Sequence, residues 1–169
     1  MKMNFSILTV LLAFTSYSNA ASEAHANLES KNDSKVIGSA HFKELPEGLE
    51  IEYKILGLKK DGNYGFHIHE KGDCSSKDAK SAGSHYQKIA ETGGTSLETP
   101  EAFAGDLPSL VSNNKGIAQG RLLIANLSLE GVNPVKDLAI MVHGGPDDAT
   151  KHSAPRVACG VIKPMKAKK

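Results

Sequence analysis

Residues 49–55 of the chain read LEIEYKI, a run in which apolar and charged side chains alternate strictly. Successive side chains of a β-strand point to opposite faces, so this alternation predicts a strand with one buried and one solvated face. Residues 36–42 (VIGSAHF) form a second strand-like run, and the intervening residues 45–48 (LPEG) carry turn chemistry. The two runs together predict a β-hairpin.

Outward from this hairpin, the chain continues in short strand-like runs. They lie at residues 64–70, 116–124, 138–143 and 156–162, and turn sequences such as KDGN at 60–63 and SNNKG at 112–116 bound them. Strands spaced this way predict an all-β fold, either a sandwich or a barrel. The length of 169 residues, with 40% hydrophobic and 23% charged content, fits one packed core and therefore one domain.

Two long stretches interrupt the strands. Residues 71–111 are rich in Gly, Ser, Thr and Glu, and residues 144–155 contain Pro, Asp and His. Structureless stretches of this length are uncommon in a compact domain and are usually functional or disordered. Because both begin after histidines on predicted strands, we expect two functional loops on a rigid β-scaffold.

The N-terminus has the pattern of a secretory signal. Lys2 precedes an apolar run at residues 5–14, and small polar residues follow up to Ala20. The sequence therefore predicts a signal peptide at residues 1–20, a mature domain at residues 21–169 and an exported protein, periplasmic or secreted. An uncleaved membrane anchor is the alternative, but a bilayer span needs about 20 apolar residues, so no span is expected in the mature form.

The charge balance argues against a nucleic-acid partner. The formal net charge is +1, and Lys2 is the only charge in the first twenty residues, so the mature chain is neutral. A basic end consists of Lys163, Lys166, Lys168 and Lys169. We interpret it as a solvated tail, with a membrane-surface or polyanion patch as the alternative.

The chain has two cysteines, Cys74 and Cys159. An even number in an exported chain predicts one structural disulfide, and two unpaired buried thiols are the alternative.

The histidines predict a metal site. His67 and His69 flank Ile68, so both imidazoles project from one face of a strand. His85 and His143 each lie beside glycines, which let backbone or ligand approach closely. Four such imidazoles suit Cu(II), Zn(II) or Ni(II), and the residue types alone do not choose among them. The histidines at positions 25 and 41 are expected on the surface, and the carboxylate at position 70 is expected to be solvated or to cap the backbone.

Six blocks of the sequence then match one family in order and spacing. They are GFHIHE at 65–70, GDC at 72–74, AGSHY at 82–86, GDLP at 105–108, MVH at 141–143 and PRVACGVI at 155–162. Together they resemble the signature of the copper/zinc superoxide dismutases in their bacterial exported form. The resemblance implies a Greek-key β-barrel, a fold of the sandwich class.

The resemblance also assigns roles to individual residues. It implies that copper is bound by His67, His69, His85 and His143. Arg156 matches the arginine that guides the superoxide anion to copper, and Asp147 matches an aspartate that orients a copper histidine, His67 in our interpretation. Cys74 and Cys159 match the family disulfide, which would also hold Arg156 in place.

The sequence departs from the family at the zinc site. Gly94 and Phe103 stand where the family has two zinc histidines, so only His85 and Asp106 remain of the zinc set. Four ligands close a structural zinc site, which makes zinc binding doubtful. The loop at residues 144–155 is also shorter than the usual loop of the family. In lacking the zinc histidines and in having this short loop, the chain resembles copper-only members of the family. His152 in that loop is the candidate for a replacement zinc ligand.

The implied activity is the dismutation of superoxide to oxygen and hydrogen peroxide by a redox-cycling copper. We expect His85 to take part, with Asp106 accepting a hydrogen bond from the nitrogen that zinc would otherwise bind. The alternative is a non-enzymatic copper-binding or copper-delivery domain on the same fold, and a structural barrel with a vestigial site is a weaker one. The intact copper ligands and Arg156 favour the enzyme. The expected oligomeric state is a monomer or a homodimer.

Overall fold

The computed structural model describes residues 22–87, 103–147 and 154–165. Within these ranges the chain is all-β, as predicted, with one short 3₁₀ helix at Lys80–Ala82. The strands are β1 (Glu23–Ser30), β2 (Ile37–Leu45), β3 (Gly48–Leu56), β4 (Asn63–Tyr64), β5 (Phe66–His69), β6 (Leu110–Val111), β7 (Ala118–Ile124), β8 (Ala139–His143), β9 (Arg156–Val161) and β10 (Lys163–Pro164). No helix in these ranges is long and apolar enough to cross a membrane.

The predicted hairpin is confirmed as β2 and β3. They pair antiparallel without interruption from Ile37 opposite Leu56 to Leu45 opposite Gly48. The alternation of β3 buries its apolar side chains and leaves its charged ones outside. Gly48 closes the turn with a φ of 140°, and a Cβ there would lie 2.5 Å from the Ile124 carbonyl oxygen, so only glycine fits.

The main sheet is antiparallel and follows the order β5-β8-β9-β1-β2-β3-β7, with β10 pairing β1. Strands β1, β2 and β3 are consecutive neighbours, and β9 returns after a long excursion to lie beside β1. This arrangement is the Greek key that the family resemblance implied. The sheet curls around one core, whose largest buried side chains include Phe42, Phe66, Ile68 and Ile140.

Strand β1 is absent from the sequence prediction, although it lies in the middle of the sheet between β9 and β2. Its buried face consists of Ala24, Ala26 and Leu28. Alanine has a low strand propensity, so the alternation gave a weak signal, and the pairing on both sides outweighs it. The first expected strand at residues 36–42 is therefore the second strand of the fold.

Two predicted boundaries are wrong at the short pair formed by β4 and β6. The run predicted at residues 64–70 is broken at Gly65, whose N–H donates to Gly145 O at 2.9 Å and whose carbonyl accepts from His143 N. Tyr64 leaves the main sheet to pair with Leu110. The expected loop at residues 71–111 therefore ends in a strand.

The basic end also begins differently from the expectation. Lys163 lies in β10 opposite His25, and its Nζ is 2.8 Å from Asp137 Oδ1, so it is not part of a free tail. The other three lysines of the predicted tail lie outside the described residues, as does the predicted signal peptide at residues 1–20.

The predicted disulfide between Cys74 and Cys159 is confirmed. It joins the long loop after β5 to the middle of β9 across a sequence separation of 85. The loop is thereby fixed against the strand that carries Arg156.

Candidate metal centre

Two adjacent strands and one loop carry the four histidines of the predicted copper site. His67 and His69 lie on β5, and His143 ends β8, the neighbouring strand. His85 lies in the loop after β5 and forms an isolated antiparallel bridge with His69. One potential ligand nitrogen from each of the four lies within 4.8 Å of the others. In the part of the chain that the structure describes, this is the only group of three or more potential ligands that already converges.

Backbone carbonyls fix the orientation of two of the rings. His69 Nδ1 lies 3.0 Å from Gly83 O, and His143 Nδ1 lies 3.1 Å from Ala154 O. A carbonyl oxygen only accepts hydrogen bonds, so each Nδ1 carries the proton and each Nε2 keeps a free lone pair. The two Nε2 atoms face each other at 3.4 Å. That distance is close to the roughly 3.3 Å that separates two ligands of a tetrahedral ion with bonds of about 2 Å.

His67 is oriented the other way round. Its Nε2 lies 3.0 Å from Asp147 Oδ2, which leaves Nδ1 as the inward nitrogen. Nδ1 is buried and has no hydrogen-bond partner among the described residues. A buried nitrogen without a partner is destabilising unless something binds it. A metal ion held by the surrounding imidazoles would satisfy it, so the residues present fit a copper ion.

Burial keeps these imidazoles neutral. It lowers the pKa of His69 to about 3 and the pKa of His143 to about 4. The pKa of His67 is also lowered, first by burial and then by the nearby His85, against the opposing effect of Asp147. Neutral imidazole is the form that binds a metal, so at neutral pH protons do not compete for these nitrogens.

His85 contacts the expected aspartate. Its Nδ1 lies 2.9 Å from Asp106 Oδ1, and its side chain is 19% exposed. Burial alone would raise the pKa of Asp106, but hydrogen bonds from His85 and from the Phe103 N–H lower it below its usual value. Asp106 is therefore an anion that orients the His85 ring.

The position predicted to match a family zinc histidine holds an aromatic side chain. The ring of Phe103 lies edge-on to His85, with centroids 6.4 Å apart and planes at 83°. Phe103 contributes its backbone N–H to Asp106 Oδ2 at 3.2 Å and offers no side-chain donor. Gly94 and His152, the other residues of the zinc argument, lie outside the described ranges.

Arg156 begins β9 and is fixed by the loop that the disulfide anchors. Its Nη1 donates to Ala79 O at 2.7 Å, and its Nη2 donates to Gly83 O at 2.6 Å. Gly83 O also accepts the Nδ1–H of His69. One carbonyl oxygen therefore positions both a potential metal ligand and the arginine.

Sequence reasoning missed the residues that make room for these contacts. A Cβ at Gly65 would collide with Asp147 Oδ1 and would lie 2.9 Å from His67 Cε1. The glycine two residues before His67 is the signal that could have pointed to it. The carbonyls of Gly83 and Ala154 gave no signal, because backbone acceptors are the same in every residue.

The other polar residues of the sequence argument lie where they were expected. Glu70 is exposed, and its Oε1 accepts the Ser84 N–H at 3.2 Å, which is the predicted capping role. His25 is exposed, and the side chain of His41 is 39% exposed, which confirms the expected surface positions.

The sequence is similar to proteins of one family. The family model described as copper/zinc superoxide dismutase matches residues 36–162. The "Superoxide dismutase [Cu-Zn]" of Escherichia coli is 38% identical over 176 residues, which cover 94% of this chain and 98% of that protein. The protein of the same name from Yarrowia lipolytica is 33% identical over 144 residues, covering 78% of this chain and 92% of its own.

A solved structure has a similar fold. It is a double mutant of a SOD-like protein from Bacillus subtilis, with a TM-score of 0.69 and 30% sequence identity. The match covers 82% of this chain and 96% of that one.

Proposed function

The chain belongs to the copper/zinc superoxide dismutase family, and we propose that it dismutates superoxide with one copper ion held by four imidazoles. The proposed ligands are His67 through Nδ1 and His69, His85 and His143 through Nε2. The observation that carries the proposal is the buried, unpartnered Nδ1 of His67, which faces the other three rings. When bound, copper supplies the one-electron chemistry, cycling between Cu(II) and Cu(I) as two superoxide ions and two protons become oxygen and hydrogen peroxide.

His85 is the ligand best placed to move a proton. Its side chain is 19% exposed, whereas the other three are buried. Asp106 holds the ring through Nδ1, so the ring would keep its orientation if Nε2 took up a proton. His85 and Asp106 would therefore deliver a proton to the reduced oxygen species.

Arg156 is proposed to attract and dock the substrate anion. Its guanidinium is always charged at neutral pH, and the carbonyls of Ala79 and Gly83 immobilise it. A fixed positive charge beside a site for a small anion increases the rate of encounter. A copper carrier has no need of such a group, so Arg156 favours the enzyme over the copper-delivery alternative.

We further propose that the enzyme works with copper alone. Two of the family's zinc ligands remain, His85 and Asp106, and they are hydrogen-bonded to each other. Phe103 supplies no side-chain ligand. Two side-chain donors are fewer than the four of a structural zinc site. Asp106 holds Nδ1 of the His85 ring, which is the nitrogen that a zinc ion would otherwise bind.

The test is metal analysis of mature protein loaded with copper and zinc together and then passed over a size-exclusion column. We expect about one copper and little zinc per chain, because copper also exceeds zinc in affinity for nitrogen sites. Stopped-flow measurement should show dismutation without added zinc. Copper-loaded but inactive protein would contradict the enzyme assignment. About one tightly held zinc per chain, lost in His152→Ala, would contradict the copper-only proposal.

Export from the cytoplasm is a separate proposal. It is supported by the Cys74–Cys159 disulfide, which is typical of proteins in oxidising compartments, and by the signal pattern at residues 1–20. Cell fractionation should find the protein in the periplasm or the medium, with Ala21 as its first residue. Recovery from the cytoplasm with its N-terminus intact would contradict this proposal.

A further inference from the structure

The histidines outside the metal centre are not scattered. The chain has seven histidines, of which four form the metal centre and His152 lies outside the described ranges. The remaining two, His25 on β1 and His41 on β2, are direct partners across the antiparallel pair. Side chains at directly opposed positions lie on the same face of the sheet, with Cβ atoms about 4.5–5.5 Å apart. This face is the outer one, away from the core.

A carboxylate completes the group. Glu23 lies two residues before His25 on the same face of β1, and its Oε2 is 3.3 Å from His41 Nε2. This contact is a hydrogen bond that holds the carboxylate beside one of the two imidazoles. Carboxylates and imidazoles are both ligands that Zn²⁺ accepts.

The surroundings leave room for an ion. His25 and His41 line an open cavity of about 540 Å³ on the outer face. His25 is exposed, so its ring can rotate toward His41 on a nanosecond timescale or faster.

Two of the neighbouring cations are paired with carboxylates. Lys163, opposite His25, is 2.8 Å from Asp137, and Arg121 lies 3.5 Å from Glu50 and from Glu52. Their charges are thereby partly compensated, which reduces their repulsion of a metal cation.

We propose that His25, His41 and Glu23 form a second, exchangeable site for a divalent transition-metal ion on the outer face of β1 and β2. Two imidazoles, a carboxylate and one water would give the four ligands that Zn²⁺ prefers. The site is separate from the four-histidine centre, because β9 lies between the strands β5 and β8 of that centre and the strands β1 and β2. Zinc bound there would join β1 to β2 and stabilise the fold in proportion to its occupancy. It would also place zinc on this protein without any of the family's zinc ligands.

The test is a calorimetric titration of copper-loaded protein with Zn²⁺, so that the four-histidine centre is already filled. We expect one Zn²⁺ to bind per chain in the micromolar range. His25→Ala and His41→Ala should each weaken binding about tenfold or more. NMR spectra recorded during the titration should show the ring signals of His25 and His41 shifting together.

Two matched variants serve as controls. Glu29→Gln removes a carboxylate from the same face of β1, outside the proposed site, and His152→Ala removes a histidine from the short loop. Both should bind Zn²⁺ like the unmutated protein, and all variants should retain copper and the disulfide. The proposal is overturned if no Zn²⁺ binds, if both β-strand histidine variants bind it unchanged, or if only His152→Ala loses it.

Discussion

His67 shows how a single side chain depends on residues far along the chain. Its Nε2 is held by Asp147, which is 80 positions later, and Gly65 leaves the space that the carboxylate occupies. The contact determines which nitrogen faces the other imidazoles. We propose that Asp147 thereby positions His67 in the metal centre, although its own side chain is 48% exposed.

Replacing Asp147 is expected to weaken copper binding. In Asp147→Ala, His67 loses the acceptor that fixes its tautomer, and copper affinity should fall about tenfold or more. Asp147→Asn should recover part of the loss, because the amide oxygen still accepts a hydrogen bond. Competition with a chelator of known affinity measures the change. Glu130→Gln, which removes an exposed carboxylate paired with Lys136, is the matched control and should leave the affinity unchanged.

Replacing Arg156 is expected to affect the rate and not the metal. Arg156→Ala should lower the dismutation rate about tenfold while the copper content stays the same, because we propose that the lost charge steers and docks the anion. The rate of the unmutated enzyme should fall as salt rises, and the variant should depend less on salt. Stopped-flow rates at several ionic strengths measure both effects. An unchanged rate would favour the copper-delivery alternative.

At the scale of elements, the disulfide connects stability to the site. Cys159 lies in the middle of β9, and Cys74 anchors the loop whose carbonyls hold Arg156 at the start of the same strand. A segment of the loop and a strand therefore form one rigid unit. The same unit contains Gly83 O, which also fixes His69.

Removing the disulfide is expected to reduce both stability and rate. For a loop of this length, replacing both cysteines by serine should lower the free energy of unfolding by about 4–5 kcal/mol. The rate should fall at constant copper content, because the partners of Arg156 become mobile. Urea titration and stopped-flow rates measure the two losses. In the disulfide-free protein, adding Arg156→Ala should lower the dismutation rate less than it does in the unmutated protein. An equal decrease would show that the disulfide and Arg156 affect the rate independently.

At the scale of the whole molecule, the fold buries several neutral imidazoles against their preference for water. The folded pKa is about 3 for His69 and about 4 for His143, whereas an unfolded histidine titrates near 6.5. The unfolded chain therefore binds more protons than the folded chain between these values. Acid favours unfolding over that range.

The metal-free protein should consequently lose stability as the pH falls. Its free energy of unfolding should be steady above about pH 7. It should then decrease by several kcal/mol between about pH 6.5 and about pH 4. Urea midpoints measured at each pH give the curve. Copper-loaded protein should resist acid further, because a bound metal keeps the imidazoles unprotonated. The surface variant His41→Ala should keep the same dependence, and a flat curve for the metal-free protein would contradict the explanation.

The sequence by itself determined the features that depend on local periodicity and on residue type. Alternation in residues 49–55 identified the hairpin and its buried face, and the spacing of His67 and His69 placed both rings on one side of a strand. The two cysteines identified the disulfide. The resemblance supplied the ligand set that the structure brings together, and the contacts of Asp147 with His67 and of Asp106 with His85. These features could be predicted because alternation, residue count and motif order are visible in the chain without its three-dimensional form.

Only the tertiary structure decided the features that depend on register and on returning loops. Strand β1 was not predicted, because its alternating alanines become a buried face only when pairing with β2, β9 and β10 places them against the core. The carbonyls of Gly83 and Ala154 determine which ring nitrogens face inward, and Gly83 also holds Arg156 from a position 73 residues away. His25 and His41 are cross-strand partners because of the register in which β1 pairs with β2. Such contacts join distant parts of the chain, so the local sequence carries no signal for them, and folding alone brings the partners together.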